Sequence, residues 1–176
     1  MSVAFRTVRA TRTYLAMESP AALQVPAVPA LRLDIEARTR CTVAEYRRLY
    51  QLVGDQWEWH DRNDLGDDAL AAHLARSAVH VWTARVGHRT AGFFELVEDE
   101  DAGVEIAYFG LLPGFIGQGL GGALLARAVE VAWRLSARRV WLHTCSLDAP
   151  QALPNYLARG FCVVREESYD ARVRAR

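Results

Sequence analysis

The sequence predicts an α/β fold: one domain with a mixed central sheet, antiparallel strands in its first half, a β-α-β-α-β second half and helices on both faces. Three apolar runs joined by short turns between residues 79 and 112 indicate antiparallel hairpins. Beyond them the apolar pattern alternates between strand and helix periods. A length of 176 residues suits one domain, so residues 1–176 are expected to form a single unit.

The first 30 residues are expected to be an N-terminal extension, or a strand followed by a Pro-rich connector. Residues 6–15 are rich in β-branched side chains, which favours a strand. Pro20, Pro26 and Pro29 then interrupt regular structure. The alternation of apolar and polar residues over 31–37 is typical of a half-buried strand, so the sheet is expected to resume there.

Two helices are predicted before the hairpins. Thr42 and Glu45 have the spacing of a capping box, which predicts a helix over 43–53 with Gly54 as its end. The second helix is expected to run to Arg76 from an acidic N-cap, either Asp67 or Asp68.

After the hairpins, a Gly-rich turn leads into a predicted amphipathic helix, a strand, a short helix and a last strand. The apolar stripe of the amphipathic helix consists of Leu120, Leu124, Val131 and Leu135. Strands are expected at 138–146 and 161–169, with Gly160 ending the short helix between them. The final residues, 164–176, are expected to end the chain as a frayed, solvated tail and not as a nucleic-acid arm.

Composition excludes several classes of protein. Basic and acidic residues number 21 each, so no overall field favours nucleic acid or an anionic membrane as a partner. Cys41, Cys145 and Cys162 have neither metal-ligand nor CxxC spacing, which predicts no metal site and a reducing compartment. The N-terminus has no signal-peptide core and no window resembles a membrane span, so we expect a cytoplasmic protein.

The Gly-rich turn at 114–122 is the first functional signal. It lies between an apolar strand and a helix, where glycines expose backbone N–H groups to a phosphate. Gly117, Gly119 and Gly122 also satisfy G-x-G-x-x-G, the fingerprint of a dinucleotide-binding unit and hence of an oxidoreductase. That unit needs an acidic residue about 20 positions on, where this sequence has His143 and Thr144.

The region resembles the GNAT superfamily of N-acyltransferases. The stretch VEIAYFGLLPGFIGQGLGGALL is similar to that family's strand, turn and helix motif. A second block, Ala152, Tyr156, Gly160 and Phe161, has the family's spacing. The resemblance is clear over residues 79–167, whereas over residues 31–78 only the order of helices and strands is similar. It implies an enzyme that transfers an acetyl group from acetyl-CoA to a primary amine, by direct attack in a ternary complex.

The resemblance also implies where acetyl-CoA binds. The pyrophosphate would lie on Gly117, Gln118, Gly119, Leu120, Gly121 and Gly122. The pantetheine arm would contact the backbone of Gly110, Leu111 and Leu112. The motif's Gln or Arg falls on Ile116, whose backbone N–H remains but whose side chain cannot contact phosphate.

Two residues are expected to carry the chemistry. Glu105 stands where some family members have a general base, and could take the amine proton directly or through a water. The alternative for Glu105 is a strand-end carboxylate in solvent or paired with an arginine. Tyr156 matches the family's general acid, which protonates the departing thiolate. Its alternative is a tyrosine that only packs against the helix.

The resemblance implies that the acidic and aromatic loop after the first helix borders the acceptor site. The residues expected there are Trp57, Glu58, Trp59 and Asp61. Such a loop would attract a cationic amine, either a small molecule or a peptide. The other interpretation is a solvated loop that its tryptophans anchor in the core. A homodimer is compatible with the sequence.

Two further hypotheses remain open. One is an acyl-CoA-binding sensor without catalysis, which the loss of the motif side chain at Ile116 favours. The other is a Cys/His nucleophilic pair, since His143 and Cys145 would share one face of a strand. A hydrogen-bonded histidine beside a small buried residue explains the same pair without chemistry.

Overall fold

The computed structural model describes residues 5–135 and 137–175. Within these residues the chain forms one seven-stranded sheet and four α-helices. The strands are β1 (Phe5–Met17), β2 (Asp34–Ala37), β3 (Val79–Val86), β4 (Arg89–Asp99), β5 (Gly103–Leu111), β6 (Val140–Cys145) and β7 (Cys162–Arg174). The helices are α1 (Val43–Gly54), α2 (Asp67–Leu74), α3 (Leu120–Arg134) and α4 (Ala152–Ala158).

The strand order is β2-β3-β4-β5-β6-β1-β7, and every pairing except β5 with β6 is antiparallel. The mixed sheet and the predicted order of its elements are therefore confirmed. β1 lies inside the sheet, where it pairs with both β6 and β7. Over residues 5–30 the structure has a strand followed by a Pro-rich connector, which is the second of the two expectations, and residues 1–4 lie outside the described residues.

The expectation of a frayed C-terminal tail is wrong. β7 continues to Arg174 because β1 offers it a long antiparallel partner, from Ala16 opposite Cys162 to Phe5 opposite Arg174. No local pattern reveals this pairing, since the two strands stand at opposite ends of the sequence. Residue 176 lies outside the described residues.

Helices cover both faces of the sheet. On one face α3 and α4 pack over the main core, which includes Leu96, Leu124 and Leu142. On the other face α1 and α2 pack over a second core with Tyr46, Phe93 and other aromatic side chains. None of the helices that the structure describes has both the length and the apolar character to cross a membrane.

The helix starts differ in how well the sequence predicts them. The capping box of α1 is present, with Thr42 and Glu45 bonded reciprocally. The predicted acidic cap of α2 is wrong: Gly66 is the N-cap, and Asp67 and Asp68 lie in the first turn, where their charges suit the helix dipole. Helix α1 does end at Gly54, but Gly is required there because a Cβ would collide with the Trp59 ring.

Candidate active site

Strands β5 and β6 separate after a short parallel pairing and leave a cleft between them. Their ladder consists of Val104 opposite Val140 and Glu105 opposite Trp141. Past these pairs, the facing backbone groups of the two strands have no strand partner within the described sheet. A cavity of about 940 Å³ occupies the opening and reaches from the Gly-rich turn to the loop after α1.

A bulge in β5 sets which side chains face each side of the cleft. Glu95 pairs with Tyr108 while Leu96 pairs with Ile106, so Ala107 is an extra residue in β5. Tyr108 therefore packs in the core beneath α1, and Phe109 packs in the core beneath α3.

Glu105 points to the α1 side of the sheet, because its neighbours Val104 and Ile106 both belong to the opposite core. Burial raises the pKa of Glu105 to about 7, and nearby Glu95 adds to the rise while Arg62 opposes it. Because the pKa is higher in the folded chain than in the unfolded chain, protonation of Glu105 raises the free energy of unfolding. This contribution is lost as the pH rises from 4.5 to about 7. Near neutral pH Glu105 can both accept and release a proton.

A buried ionic network lies next to Glu105. Glu95 has no exposed surface and accepts hydrogen bonds from Tyr46, from Arg62 at 2.8 Å and from His73 at 2.8 Å. Burial opposes its ionisation, yet the bonds from His73 and Arg62 hold the pKa of Glu95 below its ordinary value. This network was not predicted from the sequence, although Glu95, the one carboxylate inside the apolar run AGFFELV, is a signal for it.

The Gly-rich turn has the geometry of an anion site. Gly117 and Gly119 have φ of +81° and +73°, and a Cβ at either position would meet open space. Gly119 is the N-cap of α3, so the N–H groups from Gly119 to Gly122 have no partner in the helix. This arrangement fits the pyrophosphate of a coenzyme A thioester.

The predicted cofactor residues divide into two groups. Lining the cleft are Gly110, Leu111, Ile116, Gly117, Gly119, Gly121 and Gly122. Three others stabilise the turn and do not line the cleft. The Leu112 N–H donates to the Ala91 carbonyl, the Gln118 side-chain amide donates to the Gly114 carbonyl, and Leu120 is fully buried. The Ile116 N–H, expected to be free, donates to the Pro113 carbonyl at 3.3 Å.

Arg159 lies beside the turn, which the sequence did not indicate. A Cβ on Gly122 would stand 2.6 Å from Arg159 Nη1 and 3.5 Å from Pro26 of the connector. The connector reaches this point because Gln24 donates to the Arg159 carbonyl and the Ala22 carbonyl packs against Gly160, whose φ is +97°. The guanidinium of Arg159 therefore stands over the N-terminus of α3.

Tyr156 lines the cleft from α4 and is 8% exposed. Its ring packs edge-on against Phe109 and Phe161. Burial, with a smaller effect from Asp148, raises the pKa of Tyr156. The hydroxyl thus stays protonated at neutral pH, as a proton donor must.

All four predicted acceptor residues, Trp57, Glu58, Trp59 and Asp61, line the cleft. The acidity of their loop is partly neutralised by β7, since Asp64 pairs with Arg172 at 2.6 Å and Asp55 with Arg174 at 3.1 Å. Asp61 accepts a hydrogen bond from Tyr108 at 3.1 Å and has no ion-pair partner among the described residues.

The packing of Trp59 agrees with the interpretation of a loop that its tryptophans anchor in the core. Its ring packs in the core beneath α1, 5.0 Å from the Tyr108 ring. Its Nε1 donates to Asp148 at 3.3 Å, and Asp148 also accepts from Thr144 and from the Cys145 N–H. The tryptophan therefore anchors the loop and also connects it to the segment after β6.

His143 and Cys145 both line the cleft, as their spacing predicts. Burial raises the pKa of the Cys145 thiol, which keeps it protonated. A thiol in this state is a poor nucleophile, which argues against the Cys/His pair.

Comparisons with known proteins identify the family of this chain. A family model described as the acetyltransferase (GNAT) family matches residues 46–161. Three uncharacterized N-acetyltransferases, Mb2688 of Mycobacterium bovis and MT2743 and Rv2669 of Mycobacterium tuberculosis, are each 33% identical over 79 residues. That alignment includes 45% of this chain and 51% of each relative, so the chain spans about half the length of the curated relatives it matches.

Solved structures share the fold. A GCN5-related N-acetyltransferase from Kribbella flavida has a TM-score of 0.65 at 21% identity, covering 94% of this chain and 58% of its own. Another from Sphaerobacter thermophilus has a TM-score of 0.66 at 18% identity, covering 97% and 53%. Together with the family match over residues 46–161, these findings show that the chain belongs to the acetyltransferase (GNAT) family.

Proposed function

We propose that this protein transfers an acetyl group from acetyl-CoA to a primary amine by direct attack in a ternary complex. Family membership supports acetyl transfer. The observation that carries the finer proposal is the single cleft, which joins the anion site of the Gly-rich turn to Tyr156 and to the loop after α1. A donor and an acceptor can therefore meet between β5 and β6 without a covalent enzyme intermediate.

The proposed roles follow the geometry. The free N–H groups at the start of α3 bind the pyrophosphate, and the unpaired edge of β5 binds the pantetheine arm. The amine nitrogen attacks the thioester carbonyl, the C–S bond breaks, and Tyr156 gives its proton to the sulfur. The amine proton goes to Glu105, and the two side chains are restored by exchange with solvent.

The acceptor is proposed to be a cationic amine. Asp61 lines the cleft without a cationic partner among the described residues, and Trp57 and Trp59 line the same cleft. An amine with a second positive charge would bind more tightly, because the carboxylate and the aromatic rings attract that charge. An amine whose other groups are neutral would not gain this attraction.

An amine-library screen monitored by free thiol tests the function. Thiol release that depends on the amine supports the transferase. Tight binding of acetyl-CoA in calorimetry, with no thiol release for any amine, would instead support the sensor that the loss of the motif side chain at Ile116 favours. Binding of NADH or NADPH in place of acetyl-CoA would contradict both.

Glu105→Gln is expected to lower kcat/KM with the best amine by about tenfold or more near pH 7 to 8. The parent rate should rise with pH through about 7, because Glu105 accepts a proton only when ionised. The difference in kcat/KM between Glu105→Gln and the parent should shrink toward about pH 10, because more of the amine is already neutral in solution there. Glu98→Gln is the matched control, because Glu98 lies outside the cleft and its carboxylate pairs with His80. A pH-independent loss would remove Glu105 from the base role.

Arg159→Ala is expected to weaken acetyl-CoA binding by about tenfold, equal to about 1.4 kcal/mol. In the proposed complex the guanidinium over Gly122 supplies the phosphate contact that Ile116 cannot make. Calorimetry with acetyl-CoA measures the change. S-acetylpantetheine lacks the phosphates, so its binding should not change, and Arg127→Ala on the exposed face of α3 should bind both like the parent.

A further inference from the structure

We propose that His143 is a further catalytic residue, which carries the proton of the attacking amine from the cleft to Glu105. This inference rests on the proposed function. His143 lines the cleft and Glu105 does not, so a group is needed between an amine in the cleft and the carboxylate. His143 Nε2 lies 3.8 Å from Glu105 Oε1, which makes the histidine the group in that position.

The register of the sheet places the two side chains together. Glu105 is paired with Trp141, the last residue of β6 that pairs with β5, and His143 stands two residues further on the same face. His143 is therefore the first residue of β6 on that face after the two strands separate. Its Nε2 faces Glu105, and its side chain, 38% exposed, lines the cleft.

The surroundings of His143 keep its ring neutral and in place. Burial and the charge of Arg12 lower its pKa, against the opposing effects of Asp148, Asp61 and Glu167. A neutral imidazole has one nitrogen that accepts a proton and one that donates, as a relay requires. The ring also stands beside the Tyr14 ring, at 5.7 Å between centroids, on the neighbouring strand β1.

The relay conserves protons. As the N–C bond forms, the surplus proton of the amine passes to the free ring nitrogen of His143, and the proton on the other nitrogen passes to Glu105. Glu95 and Arg62 are the charged groups that act on the carboxyl end, and they have opposite effects on its pKa. The proton thus ends on Glu105, His143 is left as its other tautomer, and Tyr156 has protonated the sulfur. Exchange with solvent then restores the starting protonation of all three side chains before the next turnover.

The test compares His143→Gln, Glu105→Gln and the double variant by thiol release between about pH 6 and 10 with the best amine. We expect each single variant to lose about tenfold or more near neutral pH, and the double variant to lose no more than the worse single one, because both act in one step. His80→Gln is the matched control, since His80 makes a 2.6 Å pair with Glu98 outside the cleft. It should keep the parent rate and pH profile.

Two further measurements separate a relay from a structural role. Imidazole in solution should restore part of the rate of His143→Ala, which packing alone does not predict. In NMR titration, Glu105→Gln should lower the pKa of His143, because a nearby carboxylate favours the charged ring.

The outcomes are distinct. Parent-like turnover of His143→Gln, losses that multiply in the double variant, or no effect of Glu105→Gln on the His143 titration would each overturn the relay while leaving the proposed function in place. Absence of thiol release by the parent with every amine would overturn the proposed function, and the relay with it.

Discussion

Gly121→Val is expected to abolish acetyl-CoA binding and leave the fold intact. Gly121 lies in the first turn of α3 and lines the cleft, and a Cβ there would have only ordinary contacts, at 3.9 Å from Asn155 and 4.0 Å from Leu111. The helix therefore accepts the substitution. The rest of the valine side chain would occupy the space over the free N–H groups where the pyrophosphate is proposed to lie.

Gly119→Val should have the same effect on binding for a second reason. Its φ of +73° is unfavourable for a β-branched residue, so the N-cap of α3 would change its shape and move the N–H groups. A moderate loss of stability is expected in this variant and not in Gly121→Val.

Calorimetry with acetyl-CoA and a thermal melt measure the two effects. Gly114→Val is the matched control, because Gly114 is in the same segment but outside the cleft, with its nearest neighbour to a Cβ at 3.9 Å. It should bind like the parent. Normal binding by both the Gly119 and Gly121 variants would place the cofactor elsewhere.

The sequence predicted the elements whose signals are local. The hairpins, the capping box of α1 and the Gly-rich turn before α3 each depend on residues close together in the chain, and each is present. The pairing of β1 with β7 depends on contacts between the two ends of the sequence, so no short window indicates it.

The residues of the candidate site divide in the same way, into those with a local sequence signal and those whose position depends on contacts distant in the sequence. Tyr156 and the glycines were found because a motif spacing places them, and they line the cleft. Arg159 was missed because its position depends on how the end of α4 lies against the start of α3. Glu105 was predicted from its position on the strand, and its role stays a prediction. Only the register with β6 places His143 beside it, within 3.8 Å.

Tyr156→Phe is expected to lower kcat by about 10²-fold or more, in the range usual for the loss of a positioned general acid. The ring keeps its edge-on contacts with Phe109 and Phe161, so acetyl-CoA binding and thermal stability should barely change. Among the described residues, none forms a hydrogen bond with the Tyr156 hydroxyl, so its removal leaves no protein group without a partner. Thiol release with the best amine measures the loss.

An acyl donor with a better leaving group separates proton donation from positioning. A thiol of lower pKa departs with less need of a proton, so its thioester should recover part of the lost rate in Tyr156→Phe. If Tyr156 only held the thioester in place, both donors would slow equally. Leu157→Ala is the control, since that neighbouring side chain is 46% exposed and lies outside the cleft. A Phe variant that turns over like the parent would make Tyr156 a packing residue, and the departing thiolate would then take its proton from water.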